Sequence, residues 1–357
     1  MLVPSASRDS DKRREHRRAF ALVTAAVAAT LAAGTAGAAP ARHSGTTLVG
    51  AGSTFVAPLV SQWTPAIASA YGYELQYSPI GSGGGINAVT GRTVDFGASD
   101  APLSPDQFTA CKGCVQIPWA LSATSVIYNL DGVKNLLHMD GPTLARIFSG
   151  QITAWNDAAI KKLNPGVSLP AQKIATVHRS DNSGTTYNFT DFLASVSPAW
   201  RSATGTGVAV NWPVGTGAKG SSGVAAAVAQ TSGGIGYVDV AYAKANHLKF
   251  FAMKNRSGKF TTPGLRGILA AATSDQKPDA TNALSIVNPP KKYDLAYPIS
   301  TYTYVIVPTQ SSKAPELKKF LFWAVTKGQA FGPKLLFQPI PKSVLVVAEK
   351  TIAKIHA

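Results

Sequence analysis

The sequence has two cysteines in 357 residues, Cys111 and Cys114 in the stretch ACKGCV. A zinc site needs more Cys or His ligands nearby, and the six histidines are scattered, so we expect no metal site. A redox centre favours a Cys-x-x-Cys pair at a helix start after a buried strand. Here Ser104-Pro105 instead predicts a helix that ends near Lys112. In an exported chain this pair is interpreted as a candidate disulfide that tightens a surface turn.

Motifs of common enzymes and of nucleic-acid binding are also missing. There is no Gly-x-Ser-x-Gly elbow and no His/Asp/Glu cluster for paired metals, which argues against a hydrolase. The loop Gly215–Gly220 lacks the spacing of a nucleotide phosphate loop. Basic residues are dispersed rather than interleaved with aromatics on one segment, which argues against nucleic acid as a partner. We expect a binding protein without a cofactor rather than an enzyme.

Long apolar runs are absent except near the N-terminus. Arginines precede the run AFALVTAAVAATLAAGTAGA, which ends in the Ala-x-Ala pattern Ala36-Gly37-Ala38. This pattern predicts a secretory signal peptide over residues 1–39. The alternative, a membrane anchor, needs a span of about 20 strongly apolar residues, and the strongly apolar part of this run is shorter. No cysteine for lipid attachment lies near the cleavage region, so we expect a free, periplasmic protein.

Acidic residues are few relative to basic ones. The chain has 34 Lys and Arg against 18 Asp and Glu, a formal net charge of +16, and most of this excess lies beyond Pro40. Such a field raises the local concentration of anions without naming one.

What is present is a regular alternation of strand-like and helix-like segments. From Thr47, strands, glycine-rich turns and helices alternate up to a buried strand that ends at Asp100, and the pattern resumes towards two C-terminal amphipathic helices. This βαβαβ order predicts an α/β fold with a parallel sheet, in two lobes between which the chain crosses more than once. The first helix is expected to begin near Thr54 or Phe55. Its apolar face is predicted at Leu59, Val60, Trp63, Ile67 and Tyr71.

Three turns of this pattern share one design. The turns Gly50–Phe55, Gly81–Gly85 and Ser183–Thr185 each follow a strand, are rich in Gly, Ser or Thr, and precede a helix. Helix N-termini present unpaired N–H donors, and glycine lets the backbone approach a ligand closely. One such turn is typical of a plain connection, but three turns together predict an anion site.

Charged residues in the stretches HRSDNSGTT and TVDFGASDAPLS refine this prediction. Arg179 offers a planar fork that matches two oxygens of an oxyanion, and Asp181 is placed to hold that fork. Asp100 ends a strand, where a turn or capping role is the ordinary interpretation. Within an anion site it offers an acceptor for a protonated ligand oxygen. Phosphate carries such a proton at neutral pH and sulfate does not.

Six segments carry a family resemblance: GAGSTFVAP, GSGGGINAV, TVDFGASDAPLS, ITAWNDAAIKKLNPGVSLP, HRSDNSGTTYNFTDFL and GGIGYVDVAYAKANHL. In this order they resemble the periplasmic phosphate-binding proteins of high-affinity phosphate ABC transporters, the PstS family. The resemblance implies a two-lobed, type II periplasmic-binding-protein fold of the Venus-flytrap kind, with phosphate in the interlobe cleft. It implies lobe I at residues 47–127 plus 299–357 and lobe II at residues 128–298.

The resemblance also implies a site, a role and partners. Asp100 would accept the phosphate proton, Phe55 would contribute its backbone N–H, and Asp181 would support Arg179. The protein would be a monomer that delivers inorganic phosphate to the permease subunits of an ABC importer. The same fold serving sulfate or molybdate, and an exported phosphatase, are the alternatives. The implied phosphate-binding residues are Thr54, Phe55, Ser82, Asp100, Arg179, Ser183, Gly184 and Thr185.

Overall fold

The fold was obtained as a computed structural model that describes residues 45–275 and 277–357. The predicted signal peptide lies outside the described residues. The strands are β1 Thr47–Gly52, β2 Glu74–Ser78, β3 Phe96–Ser99, β4 Cys114–Asn129, β5 His138–Met139, β6 Ala175–Arg179, β7 Thr216–Ala218, β8 Gly234–Asp239, β9 Lys249–Phe250, β10 Ala252–Lys254, β11 Phe260–Thr261 and β12 Ser300–Pro308. The α-helices are α1 Ala57–Tyr71, α2 Ser82–Thr90, α3 Pro105–Cys111, α4 Gly141–Phe148, α5 Ala158–Leu163, α6 Gly184–Val196, α7 Pro198–Ala203, α8 Gly220–Gln230, α9 Val240–Ala245, α10 Leu265–Ala272, α11 Ala314–Val325 and α12 Lys342–Ile352.

The main sheet is mixed rather than parallel. Its strand order is β2-β1-β3-β12-β4-β8-β6-β7. Strand β1 pairs in parallel with β2 and β3, and β6 pairs in parallel with β7 and β8, as the βαβ pattern predicts. The two central strands, β12 and β4, run antiparallel to their neighbours. A wholly parallel sheet is therefore a wrong prediction at its centre, because β12 comes back from a distant part of the chain.

Strand β4 joins the two halves of this sheet. Over its first part, from Cys114 to Ala123, it pairs with β12, and from Thr124 to Asn129 it pairs with β8. Every residue between Ile117 and Tyr128 is buried, since helices or loops cover both of its faces.

The core on one side of the sheet centres on α1. Trp63 is fully buried and packs edge-on against Trp119, while its indole Nε1 donates to the carbonyl of Gly328 at 2.8 Å. The predicted apolar face of α1 is buried as far as Ile67. Tyr71, the last residue expected on that face, is 39% exposed. The helix ends there at Gly72, whose φ of 70° makes a left-handed cap.

The start of α1 lies later than the sequence predicts. The helix begins at Ala57 rather than near Thr54 or Phe55. The Ser53 hydroxyl accepts hydrogen bonds from the N–H groups of Phe55 and Val56, at 3.0 and 3.3 Å. These bonds hold the chain after β1 in a tight turn before the helix begins.

Cys111 and Cys114 form a disulfide at the end of α3. The Arg92 guanidinium covers it, because Nη1 lies 3.6 Å from each sulfur and Nη2 donates to the carbonyl of Cys111 at 2.8 Å. The disulfide therefore closes a short turn that leads into β4. In the described part of the chain no helix is both long and apolar enough to cross a membrane.

We expect replacement of both Cys111 and Cys114 by serine to lower the free energy of unfolding by about 2 kcal/mol or less, because the closed loop is so short. Denaturant titration of the oxidised protein and the double variant measures the difference. Wild-type protein kept in reductant is the control. A loss above about 4 kcal/mol would contradict a purely local role.

Candidate functional site

The site forms where several strands end and several helices begin. Asp100 follows β3, Arg179 ends β6, and the N-termini of α2, α6 and α8 meet near them. Ligands of α/β folds bind beyond the carboxyl ends of strands, and helix N-termini add unpaired N–H donors. The sheet and its helix connections therefore concentrate hydrogen-bond donors around one buried carboxylate.

Asp100 is 1% exposed and is held by two serine hydroxyls. Ser53 Oγ donates to Asp100 Oδ1 at 2.5 Å, and Ser82 Oγ lies 3.4 Å from Asp100 Oδ2. Ser82 Oγ also accepts the N–H groups of Asp100 and Gly184, at 3.2 and 3.1 Å. One serine at the start of α2 thus links the end of β3 to the start of α6.

The N-terminus of α6 lies directly against Asp100. A Cβ atom added to Gly184 would lie 2.5 Å from Ser82 Oγ and 2.7 Å from the backbone nitrogen of Asp100. No side chain fits in this space, so glycine is required for the close approach. Ser183 caps the helix by accepting the N–H of Thr186 at 3.2 Å.

Arg179 and Asp181 form a two-pronged ion pair. Arg179 Nε donates to Asp181 Oδ1 at 2.7 Å and Nη2 to Oδ2 at 2.5 Å. The Arg179 side chain is 1% exposed and that of Asp181 is 13% exposed. The pair fixes the plane of the guanidinium and leaves Nη1 directed at the hydroxyls of Thr185 and Ser221, at 3.4 and 3.3 Å.

Thr54, in the turn after β1, also belongs to this hydrogen-bond network. Its hydroxyl lies 2.9 Å from Ser221 Oγ and accepts the N–H of Ser221 at 3.3 Å. The Tyr242 hydroxyl donates to the carbonyl of Thr54 at 2.9 Å. The turn after β1 therefore contacts the N-terminus of α8 and helix α9 directly.

The eight residues implied by the resemblance come together in this network or at its edge, and all are buried. Seven of them contribute side chains or backbone that lie within the contacts above. Phe55 differs, because its N–H donates to Ser53 Oγ in this structure and its ring packs edge-on against Phe337. Its predicted contact with an anion stays a prediction.

Three residues of this network were missed from the sequence. Ser53 directly precedes Thr54 in the first turn, so the turn itself was the signal. Ser221 follows the loop Gly215–Gly220, whose spacing differs from that of a nucleotide phosphate loop and so does not indicate it. Thr303 of β12 donates to the carbonyl of Ser99 and also reaches the carboxyl of Asp100, and no local pattern in STYTYVIVP marks it.

Burial and charge act in opposite directions on the carboxylates. Burial raises the pKa of Asp100 to about 6, although the hydroxyls of Ser53 and Thr303 and the charge of Arg179 lower it. For Asp181, burial also acts to raise the pKa, but the hydrogen bonds and charge of Arg179 outweigh burial and lower the pKa overall. Asp181 is thus the fixed anion of the ion pair, and Asp100 is a buried acceptor whose pKa is raised to about 6.

Metal ligands are not gathered here. In residues 45–275 and 277–357, no three His, Cys, Asp or Glu side chains form a group that could hold a metal ion. A cavity of about 270 Å³ adjoins Asp100 and is also lined by Asn188, Asp191 and Thr301. Arg179 and Asp181 do not line this cavity.

Comparison with known proteins finds relatives of this chain in both sequence and fold. Residues 34–327 match the model of the PBP superfamily domain. The chain is 39% identical over 300 residues to the phosphate-binding protein PstS of Xylella fastidiosa, covering 83% of this chain and 82% of the relative. It is 36% identical over 304 residues to PstS of Pasteurella multocida, covering 84% and 88%. A high-affinity periplasmic phosphate-binding protein solved with phosphate, PfluDING, superposes with a TM-score of 0.70 at 20% identity, covering 85% and 93%.

The fold and the converging helix N-termini define a solute-binding protein of the two-lobed, type II periplasmic-binding-protein class. Within that class the match of sequence covers most of the chain. The chain belongs to the PstS family of phosphate-binding proteins, which confirms the resemblance seen in its motifs.

Proposed function

We propose that this chain captures inorganic phosphate outside the cytoplasm and delivers it to the permease of a phosphate ABC importer. The observation that carries the proposal is the setting of Asp100, a buried acceptor among hydroxyl and N–H donors. A phosphate dianion accepts hydrogen bonds at its oxygens and donates one from its remaining proton, so a complementary site offers several donors, positive charge and one acceptor. Hydroxyls, helix N-termini, Arg179 and Asp100 supply that set.

The ligand-binding residues proposed here are Thr54, Phe55, Ser82, Asp100, Arg179, Ser183, Gly184 and Thr185. Asp181 supports them by holding the arginine. PfluDING, a protein of the same fold, is described as bound with phosphate, and the curated relatives are named as phosphate-binding proteins. Both observations support the same ligand for this chain.

Calorimetric titration of the chain without residues 1–39 tests the proposal. Phosphate is expected to bind with one-to-one stoichiometry, whereas sulfate and a phosphomonoester are expected to bind far more weakly. Equal binding of sulfate would favour the alternative of a general oxyanion carrier. Turnover of the phosphomonoester that depends on Ser183 would favour a phosphatase, a role that the proposal excludes.

Export, solution state and partners complete the proposal. The predicted signal peptide over residues 1–39 and the lack of a cysteine near its end fit release into the periplasm, and we propose that the released protein is a monomer. Mass determination of the secreted protein reports both the cleavage position and the oligomeric state.

Two hinged lobes are proposed to close on the ion. Lobe I is residues 47–127 plus 299–357, and lobe II is residues 128–298. Contacts that join them include Gly83 N–H to the carbonyl of Asn182 at 3.0 Å and Gly184 N–H to Ser82 Oγ at 3.1 Å. A ligand held by both sides stabilises the closed form, since it gains contacts that an open form lacks. Small-angle scattering with and without phosphate measures the expected decrease in radius of gyration.

The Gly184→Ala variant tests closure. Its Cβ would collide with Asp100 of the other lobe, and overpacking of this kind costs about 1–3 kcal/mol, which is roughly a ten- to hundred-fold loss of phosphate affinity. Calorimetry measures the affinity. Gly223→Ala on the neighbouring helix α8 is the matched control, because the nearest atoms to its added Cβ lie 3.7 Å away or more. Unchanged affinity in Gly184→Ala would contradict the closed geometry.

A further inference from the structure

Ser53 lies between β1 and α1, within the segment GAGSTFVAP, but it is not among the eight proposed phosphate-binding residues. It is fully buried, and its hydroxyl has three partners. Ser53 Oγ lies 2.5 Å from Asp100 Oδ1, 3.0 Å from the nitrogen of Phe55 and 3.3 Å from the nitrogen of Val56.

These three contacts determine the direction of each hydrogen bond. A serine hydroxyl has one hydrogen and two lone pairs. In this structure the N–H groups of Phe55 and Val56, which are donors only, take both lone pairs of Ser53. If the N–H of Phe55 turns to a phosphate oxygen, Val56 still donates to Ser53, and the short contact with Asp100 keeps the hydroxyl hydrogen. The single hydroxyl hydrogen is left for Asp100, and Asp100 Oδ1 must therefore be an acceptor.

Ser82 has a similar arrangement on the other oxygen of Asp100, but a weaker one. The N–H groups of Asp100 and Gly184 take its lone pairs, which leaves its hydrogen free to donate. Its distance to Asp100 Oδ2 is 3.4 Å, against 2.5 Å for Ser53 and Oδ1. Ser82 is therefore free to turn its hydrogen to a ligand, whereas Ser53 is committed to Asp100.

We propose that Ser53 is a positioning residue that sets the polarity of the anion site, holding Asp100 as an acceptor so that protonated oxyanions are preferred over fully deprotonated ones. Ser53 does this without touching the ligand. The inference rests on the proposed function, because it assigns the preference for phosphate over sulfate to a residue behind Asp100.

The groups around Asp100 explain why one neutral hydroxyl, that of Ser53, controls whether Asp100 accepts or donates. Arg179 is the nearby cation, and it is already paired with Asp181. Asp239, a fully buried carboxyl close enough to interact with Asp100, has a pKa that burial raises well above its usual range. The phenols of Tyr77 and Tyr242 lie close enough to Asp100 to interact with its charge, and burial raises the pKa of both. The further charged groups around the adjoining cavity are Asp191, Asp275, Lys277 and Asp279.

The sign of the pH effect follows from this setting. Above a pH of about 6 Asp100 is ionised and both of its oxygens accept. Below that pH Oδ2 carries a proton and donates, while Oδ1 still accepts from Ser53. A protonated Asp100 no longer repels sulfate. Loss of the Ser53 donor raises the pKa of Asp100, so discrimination against sulfate should fail at a higher pH than in the wild type.

The test is titration of phosphate and sulfate into wild-type and Ser53→Ala protein between pH 5 and pH 9. We expect the pH at which the phosphate-to-sulfate affinity ratio falls to half its plateau to rise by about one unit in the variant, from loss of one hydrogen bond to a charged group. Ser53→Thr keeps the hydroxyl and should restore the wild-type profile. Ser61→Ala, which removes a hydroxyl bonded to a backbone carbonyl of α1, is the matched control.

Three results would overturn the inference. One is a Ser53→Ala profile that keeps the wild-type midpoint, whether affinity is unchanged or uniformly lower. Another is a pH midpoint that stays shifted in Ser53→Thr although that variant is as stable as the wild type. The third applies if Ser53→Ala does not fold: Ser53→Cys keeps the volume with a weaker donor, and a wild-type midpoint there refutes the role of the hydroxyl. Failure of the wild type to bind phosphate would instead refute the proposed function.

Discussion

Replacement of Arg179 by alanine is expected to weaken phosphate binding by roughly a thousand-fold or more. The guanidinium is the cation of the site and its side chain is 1% exposed, so its interaction with a dianion is little screened by water. Its loss also leaves Asp181 without its partner, and that carboxylate would then repel the ligand. Truncation of one member of a buried charge pair costs about 4 kcal/mol in comparable settings, which corresponds to this factor.

Calorimetry or competition with labelled phosphate measures the effect in Arg179→Ala. Arg201→Ala is the matched control, since the Arg201 guanidinium donates to the carbonyl of Ala194 at 2.9 and 2.7 Å, away from the site. Arg179→Lys should recover part of the affinity, because it restores the charge without the planar fork. Wild-type affinity in Arg179→Ala would show that phosphate does not bind at Arg179.

Replacement of Asp100 by asparagine is expected to lower the ratio of phosphate to sulfate affinity by about a hundred-fold or more. Asparagine has nearly the same shape but adds an NH₂ donor and removes the charge. The variant therefore no longer repels an oxyanion that lacks a proton. Sites built to hydrogen-bond one ligand group reject analogues without it by large factors, and loss of the acceptor removes that rejection.

Parallel titrations of both anions at pH 8 measure this ratio, because Asp100 is ionised in the wild type at that pH. Asp191→Asn is the matched control, since Asp191 lines the adjoining cavity rather than the hydrogen-bond network around Asp100. An unchanged ratio in Asp100→Asn would mean that discrimination lies elsewhere.

Much of the local structure follows directly from short stretches of sequence. Ser104, followed by Pro105 and Gln107, predicts a helix start, and the structure has a capping box there, with α3 ending at Cys111. The period of Leu59, Val60 and Trp63 predicts the buried face of α1. Capping and periodicity involve residues within a few positions of each other, so they are legible without knowledge of the rest of the fold.

The direction of the central strands does not follow from any short stretch of sequence. STYTYVIVP reads as a buried strand, and β12 is one, but nothing in the stretch states which strands it joins. Its insertion between β3 and β4 depends on the return of the chain after more than 150 residues. Alternation of strands and helices predicts parallel neighbours by default, and this long return is the exception.

The site residues also divide into those that a short stretch of sequence predicts and those that it does not. Arg179 with Asp181, the Ser183–Thr185 turn and Asp100 were identified from their own segments, since ion pairing across two residues and donation by a helix start are local properties. Ser221 does not follow from its own segment, and neither does the contact of 2.5 Å between Ser53 Oγ and Asp100 Oδ1. By itself the sequence determined which groups donate and which accept. The tertiary structure alone decided which of them meet, because hydrogen bonds act over about 3 Å and the order of strands in the whole sheet sets such distances between remote segments.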